Sequence, residues 1–428
     1  YEGSNRLGKS RSARWLPTWN VSGAWNLSEE NFWRPLDSWF PTARFRMSYS
    51  LTAEPPSVSN SLVVIGSTVP WKPTSDLKET ALYLSASANS ALTYEKKHEF
   101  NVGLDLGFFG NRLNLTLDAY KRNNYDLIGP AITTGTDGAI TKMANVASMT
   151  SDGVEVSLSA TLIQKKDFSW TSNLIYSHTH NEVTELETHE RAIQYITGTG
   201  FTQKGYPVRA LFSIPFVRLD REGLPVFINQ DGKETSTDIN FQELSKLDFL
   251  RYEGSMDPTD MGSLGNVLKY KGLTLNVFIT YSFGNVIRLD PVFSNTYDDL
   301  VATPKEFENR WTLPGDEAYT TIPTIASRWQ NYTNTNLNIA YNAYNYSSER
   351  VARGDFIRMK ELSLSYDFPK KVTDRLKVGS LSAKIMGTNL FLLYCDKKLN
   401  GQDPEFFNTG GVALPMAKQF TFTLKIGL

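Results

Sequence analysis

Apolar and polar residues alternate with a period of two along many segments of this chain, and this pattern limits the folds open to it. The segment 273–283 has an apolar residue at every second position, with Thr274, Asn276 and Thr280 on the opposite face. The same alternation occurs in the segments 43–51, 100–108, 113–119, 154–162 and 420–428. A period of two predicts β-strands whose two faces meet different surroundings.

The predicted strands have the length of strands that cross a membrane. We count roughly a dozen, many of about ten residues, which is what a tilted strand needs to span a bilayer. Aromatic residues make up 12% of the chain, although its mean hydropathy is only -0.33. This combination suits a protein with one apolar and one polar surface. No run reaches the ~18 apolar residues that a transmembrane helix requires.

The connections between the predicted strands alternate in length. Short turns follow Phe108, Ile163 and Tyr270, and Phe109-Gly110-Asn111 is expected to be a tight hairpin turn. Long connections are predicted at 53–97, 121–151, 179–260, 284–355 and 394–418. All the long ones fall on one side, as in outer-membrane barrels with short periplasmic turns and long external loops. The alternative is a soluble sandwich with long loops on one rim.

If the barrel interpretation is right, the alternation also predicts which side chains face lipid. Leu275, Val277 and Ile279 then face outward, whereas Thr274 and Asn276 face the interior together with Thr280. An open half-barrel would leave unpaired backbone groups in lipid, so other residues must complete it. Because the chain starts at Tyr1 without a signal peptide, we interpret it as a fragment.

Charge and cysteine content exclude several other classes. The formal net charge of -1 gives no reason to expect a nucleic acid or an anionic membrane surface as partner. Cys395 is the single cysteine, so an internal disulfide is impossible.

Few residues suggest catalytic or metal chemistry. His178 and His180 share a strand face and could hold a metal, but a polar loop rim is the preferred interpretation. The acidic residues Glu182, Glu185, Glu187 and Glu190 lack the Asp/Gly pattern of a calcium loop and are expected to be solvated. Phosphate-binding, Ser-His-Asp and zinc signatures are also missing. We therefore expect neither an enzyme nor a cofactor or metal.

Several motifs, taken in order along the chain, resemble those of one family. The motifs are YEGSNRLG at 1–8, WLPT at 15–18, AWNLSEE at 24–30, EKKHEFNVGLD at 95–105, NRW at 309–311, PGDE at 314–317, GDFIRMKELSLSY at 354–366, GTNLF at 387–391 and GQDPE at 401–405. Each is weak alone, but their order is similar to that of the SusC/RagA family of TonB-linked outer-membrane proteins of Bacteroidota. Leu428 departs from the usual outer-membrane pattern, in which an aromatic residue is commonest at the end.

The resemblance implies an all-β fold in which residues 1–428 are the C-terminal part of a transmembrane antiparallel barrel of about 22 strands with long extracellular loops. It implies that a signal peptide, a carboxypeptidase-like domain, a TonB box, a plug and the first barrel strands lie outside this chain. The implied location is the outer membrane of a Gram-negative bacterium of the Bacteroidota. The implied partners are a SusD-like lipoprotein, TonB, outer-membrane lipid and the N-terminal half of the same barrel.

Two functions remain open after the resemblance. The first is TonB-dependent import of a nutrient, an oligosaccharide or a peptide, beneath a lipoprotein lid. The second is a structural subunit of an outer-membrane assembly or secretion machine. The TonB box and plug would separate them, but neither is in these residues. On the import hypothesis, the segments 179–260 and 284–355 face the cell exterior and contact the lid.

Aromatic residues cluster in the predicted loop 284–355. They are Trp311, Trp329, Tyr332, Tyr341, Tyr344 and Tyr346. They are candidates for contact with substrate or lid, because aromatic rings stack on sugars and supply large contact areas. The alternative is that they pack the loop or form the girdle at the membrane interface.

Overall fold

The structure is a computed structural model and is dominated by strands. It describes residues 2–3, 7, 14–55, 61–71, 79–135, 141–186, 190–198, 200–291, 305–334, 336–406 and 417–427. The strands in these ranges are β1 (Glu2–Gly3), β2 (Trp15–Leu16), β3 (Trp19–Asn26), β4 (Thr42–Glu54), β5 (Val64–Thr68), β6 (Ala81–Ala86), β7 (Glu95–Phe108), β8 (Leu113–Ile132), β9 (Thr141–Gln164), β10 (Phe168–Leu186), β11 (Ala210–Ser213), β12 (Phe216–Leu219), β13 (Pro225–Ile228), β14 (Glu234–Thr235), β15 (Arg251–Ser255), β16 (Asp260–Tyr270), β17 (Leu273–Phe283), β18 (Val286–Arg288), β19 (Val351–Arg353), β20 (Phe356–Asp367), β21 (Ser380–Cys395) and β22 (Gln419–Gly427).

Helices are short and lie in the connections. The α-helices of the described residues are α1 (Ala192–Ile196), α2 (Arg328–Thr333), α3 (Leu337–Asn345) and α4 (Lys370–Leu376). The 3₁₀ helices are Leu27–Glu29, Arg34–Leu36, Lys305–Asn309, Asp316–Ala318, Ser348–Arg350, Lys397–Leu399 and Pro404–Phe406. Among the ranges described, none of the helices has the length and apolar character needed to span a membrane.

Eleven strands form one antiparallel sheet in the order β3-β4-β7-β8-β9-β10-β16-β17-β20-β21-β22. Spatial neighbours follow one another along the chain, so the sheet is a meander closed by hairpins and loops. This arrangement confirms the predicted antiparallel all-β architecture and the estimate of about a dozen strands. β3 and β22 are the two outer strands of the sheet.

The two faces of the sheet differ as the alternation predicts. Val277 on β17 lies opposite Leu362 on β20, which lies opposite Gly387 on β21, which in turn lies opposite Phe420 on β22. Val277, Leu362 and Phe420 therefore share one face of the sheet. Phe420 is 77% exposed in the isolated chain, and many other apolar side chains on this face are also exposed. On the opposite face the Asn276 amide donates to Glu361 Oε1 at 3.0 Å. The apolar face therefore suits contact with lipid and the polar face an aqueous interior.

An arginine on the polar face ties three strands together. Arg46 on β4 donates to Asp105 on β7 at 2.9 Å and to Asp118 on β8 at 3.1 Å. Gly103 lies beneath the guanidinium, since a Cβ at this position would come within 2.6 Å of the Arg46 Cζ atom. Because Gly103 has no side chain, Arg46 on β4 can reach across β7 to Asp118 on β8.

Short turns gather at one edge of the sheet. In the turn from β16 to β17, Lys271 and Gly272 have φ of 45° and 86°. Two consecutive positive φ values match the type I′ turn that suits the twist of a hairpin. Phe109, Gly110 and Asn111 also have positive φ, and the hairpin predicted there is confirmed.

The prediction of a long connection at 121–151 is wrong in extent. β8 continues to Ile132 and pairs there with Thr141 of β9, so most of this segment is strand. β9 has 24 residues, about twice the number that a tilted strand needs to cross a bilayer. The apolar alternation fades after Ala119, but backbone pairing needs no apolar side chains once a strand has left the lipid. The hairpin therefore projects beyond the membrane-crossing part of the sheet.

A hydrophobic core lies outside the sheet, where the two longest loops pack against each other. We call it the loop core; its buried members are Ala192, Tyr195, Ile196, Ala210, Phe212, Ile214, Leu224, Phe227, Ile239 and Leu250 from the loop before β16, with Phe307, Leu337, Tyr341, Ala343 and Tyr344 from the loop before β20. Loops of this length need something to order them. Here each loop supplies apolar surface that the other covers.

A glycine and a tryptophan form a close contact at the margin of the loop core. Gly223 has φ of 76° in the turn between β12 and β13, and a Cβ there would lie 2.5 Å from Cδ2 of Trp311. The Thr324 amide donates to the Gly223 carbonyl at 3.0 Å. The turn of one loop is therefore seated directly on an indole ring of the other.

We expect Val277→Arg to destabilise the folded barrel by roughly 2–4 kcal/mol if the residue lies near the bilayer midplane, because a guanidinium would then face lipid. Asn276→Arg should cost far less, since its side chain would lie on the polar face beside Glu361. Urea unfolding of the full-length protein in lipid vesicles measures both. Equal losses for the two variants would show that the faces are assigned wrongly.

We expect Gly223→Ala to loosen the contact between the two loops. The change combines a left-handed backbone, costing about 1–2 kcal/mol, with a collision against Trp311 that adds about 1–3 kcal/mol. Gly232→Ala is the matched control, because Gly232 has φ of 73° but nothing within 4 Å of the added carbon. Trypsin cleavage after Arg221 in isolated outer membranes should rise for the first variant only. Equal cleavage would mean that the indole contact contributes nothing.

Candidate functional site

The candidate site is the set of loops at the long-loop edge, and the structure divides its six candidate aromatic residues into two groups. Trp311, Tyr341 and Tyr344 are buried within this chain. Tyr346 is half-buried and packs against the loop core, with the guanidinium of Arg288 5.8 Å from its ring centre. Trp329 and Tyr332 are the strongly exposed pair. Their contacts with substrate or lid stay a prediction.

The buried aromatic residues hold the loops together. The Trp311 indole N–H donates to Glu317 Oε2 at 3.0 Å and holds the pKa of that carboxyl below its ordinary value. Burial raises the pKa of Tyr341 to about 12, and burial also raises the pKa of Tyr344. Both tyrosines lie on α3, which packs into the loop core. Their rings are therefore covered by the chain itself.

Trp329 and Tyr332 present their rings to solvent on α2. Their side chains are 71% and 81% exposed, and the ring centres lie 6.4 Å apart with planes inclined by 30°. Ser327 caps the helix, because its hydroxyl accepts from the Gln330 amide at 3.2 Å and the Gln330 side chain accepts from the Ser327 amide at 2.9 Å. This reciprocal pair is a capping box, which fixes the start of the helix. The two rings thus stand on an ordered element.

A small cavity lies where the loops meet. It has a volume of about 150 Å³ and is lined by charged residues, among them Glu306, Arg350 and Lys398. Sites for small molecules usually measure roughly 300–1,000 Å³. The cavity is therefore too small for an oligosaccharide or a peptide.

The histidine and acidic candidates have polar neighbours of their own. His178 Nδ1 lies 2.9 Å from Asp260 Oδ1, which also accepts from the Tyr176 hydroxyl at 2.6 Å. Glu185 accepts from the Ser148 hydroxyl at 3.1 Å, whereas Glu187 lies outside the described residues. In the described ranges, no group of three or more His, Cys, Asp or Glu side chains is placed to hold a metal.

Sequence reasoning missed the ionic contacts within the loop 284–355 and between β20 and the loop that follows β21. Arg350 pairs with Glu306 at 2.7 Å, and Arg358 pairs with Glu405 at 2.8 Å and with Asp403. Two of the family-like motifs contain Arg358 and the acids at 403 and 405. The order of these motifs along the chain indicated the family, but the sequence did not indicate that Arg358 contacts the two acids.

Comparison with known proteins agrees with this architecture. Residues 1–373 match the family described as TonB dependent receptor-like, beta-barrel. TonB-dependent receptor P3 of Formosa agariphila is 24% identical over 425 residues, covering 94% of this chain and 39% of that protein. TonB-dependent receptor SusC of Bacteroides thetaiotaomicron is 24% identical over 455 residues, covering 100% of this chain and 41% of that protein.

A solved structure shares the fold. The structure described as that of the RagAB peptide transporter superposes with a TM-score of 0.76 at 22% identity, covering 99% of this chain and 44% of that chain. The chain thus spans about two-fifths of the length of the relatives that it matches. The family match over most of the sequence, with a meander whose apolar face suits lipid, shows that this chain belongs to the TonB-dependent receptor β-barrel family of outer-membrane transporters.

Proposed function

We propose that this chain is the C-terminal part of a barrel that imports an oligosaccharide or a peptide in a TonB-dependent manner, together with a SusD-like surface lipoprotein. The observation that carries the proposal is the folded loop assembly at one edge of the sheet. Its two loops share a core, so they form an ordered surface rather than separate mobile segments. An ordered external surface of this size suits a permanent partner. The family consists of transporters, which fits import and gives no support to an enzyme.

The rest of the barrel belongs to the proposal as well. β3 and β22 each pair with one neighbouring strand among the described residues. Their free edges need partners in lipid, where an unpaired backbone group costs several kcal/mol. We propose that the N-terminal half of the barrel supplies them and closes a barrel of about 22 strands around a plug. The TonB box would lie in that same half.

Trp329 and Tyr332 are the residues that we assign to contact with the lipoprotein or the substrate. Aromatic rings with exposed faces supply large contact area at a modest entropic cost. Removing the whole segment 325–346 would be a poor test, because it also deletes α3 and with it Leu337, Tyr341 and Tyr344 of the loop core. Substitution of the two exposed rings separates contact from folding.

The first test of import is the requirement for energy. A strain that lacks the gene should lose growth on one nutrient among a panel of single oligosaccharides and peptide mixtures. A strain that lacks TonB should lose the same growth while the barrel stays inserted in the outer membrane. If both strains grow on every nutrient and the first instead loses other outer-membrane proteins, the protein is a structural subunit of an assembly or secretion machine.

The second test addresses the exposed ring pair. We expect Trp329→Ala combined with Tyr332→Ala to weaken binding of the lipoprotein or the substrate at least about tenfold, because an aromatic residue that acts as an interface hot spot contributes about 2 kcal/mol or more. Tyr319→Ala is the matched control, since this tyrosine is 92% exposed in the same loop but lies outside α2. Co-purification and uptake are measured for both. Unchanged binding and uptake in the double variant would remove the pair from the site.

A further inference from the structure

An arginine of the barrel wall is buried against an external loop. Arg358 lies on β20 opposite Thr280, on the polar face of the sheet. Its side chain is only 5% exposed, and one guanidinium nitrogen contacts Asp403 Oδ1 and also Glu405 Oε2, the latter at 2.8 Å. The Glu405 amide donates to the same Asp403 oxygen at 3.1 Å. Both acids belong to the segment 396–406, which we call the clasp loop.

Contacts of Asp396 at the start of the clasp loop and of Leu399 at its centre hold the loop in place. Asp396 accepts from the Lys398 amide at 2.9 Å and from the Arg353 amide at 2.8 Å. Leu399 is fully buried and packs with Leu289 and Ala352. These contacts fasten the clasp loop to both ends of the loop 284–355, because Leu289 lies just after β18 and Ala352 lies in β19.

A second buried arginine continues the connection toward the loop core. Glu306 accepts from the side-chain amide of Asn400 in the clasp loop at 3.5 Å and from Arg350 at 2.7 Å. Arg350 is 3% exposed and also donates to the Asp290 carbonyl. The contacts thus run without a break from the wall at Arg358, through the clasp loop and Glu306, to Arg350 in the loop 284–355.

We propose that the clasp loop is a rigid coupling between the barrel wall and the external loops, with Arg358 as its anchoring residue. Hydrogen bonds between a guanidinium and carboxylates are about twice as strong as those between neutral groups, so the clasp loop loses two of its stronger contacts when it leaves Arg358. The loop 284–355 therefore keeps a fixed position over β20 and β21, and a displacement of the wall or of the loops is passed to the other. This coupling holds whatever the barrel transports and whichever partner covers it.

The test uses the full-length protein in intact cells, where trypsin reaches only external segments. Lys397 and Lys398 are exposed but lie in a helical turn, and a protease needs that turn to open. We expect Arg358→Gln to raise the cleavage rate after these lysines at least about tenfold, since loss of a buried ion pair makes local opening far more frequent. Cleavage inside the loop 305–334 should rise with it.

Arg46→Gln is the matched control, because Arg46 also pairs with two carboxylates but both lie on strands of the wall. It should leave cleavage after Lys398 at the wild-type rate, while heat modification on gels reports the folded barrel for each variant. Arg358→Gln cleaved no faster than Arg46→Gln, with the barrel folded, would overturn the proposal. If Arg358→Gln does not insert, the triple variant Arg358→Gln, Asp403→Asn, Glu405→Gln decides, since it leaves no unpaired charge. Faster cleavage of the triple variant supports the coupling, and the wild-type rate refutes it.

Discussion

Backbone hydrogen bonding in lipid is the constraint on which the rest of this structure depends. No water is present in the bilayer core to satisfy a free amide or carbonyl, so strands can cross only when each is paired on both sides. The eleven-stranded meander meets this demand for its nine inner strands. Because neighbours in space are also neighbours in the chain, every pairing can be closed by one hairpin or one loop. The alternation of apolar and polar side chains then follows because one face of the sheet meets lipid and the other meets water.

The position of the ion pairs on one face of the sheet follows from the same constraint. Ion pairs such as that of Arg46 with Asp105 lie on the polar face, where charges can cross from strand to strand without meeting lipid. Outside the membrane the chain is free of the rule that every backbone group must be paired within the sheet. The long loops instead bury a hydrophobic core of their own, as soluble proteins do. The apolar side chains of this chain are therefore covered by lipid in the sheet and by other side chains in the loops.

Sequence patterns predicted the strands well because alternation is a local property. The extent of β17 and the hairpin at Gly110 were predicted correctly for that reason. The extension of β8 to Ile132 was missed, because pairing beyond the membrane leaves no apolar signal. The six aromatic candidates could not be divided from sequence, since Tyr341 and Trp329 differ only in which distant residues cover them. The pairing of Arg358 with Asp403 was missed for the same reason.

The buried arginines lie where the two parts of the molecule meet. A charge is costly in either an apolar core or a membrane, yet the junction between sheet and loops faces neither directly. Arg358 and Arg350 occupy that junction with carboxylates close by, so directional contacts join the sheet to the loops beside the apolar packing of Leu399. Apolar packing tolerates sliding, whereas an arginine between two fixed carboxylates has few alternative partners. The ion pairs therefore add directional contacts between the sheet and the loops, while hydrophobic burial holds the loops together internally.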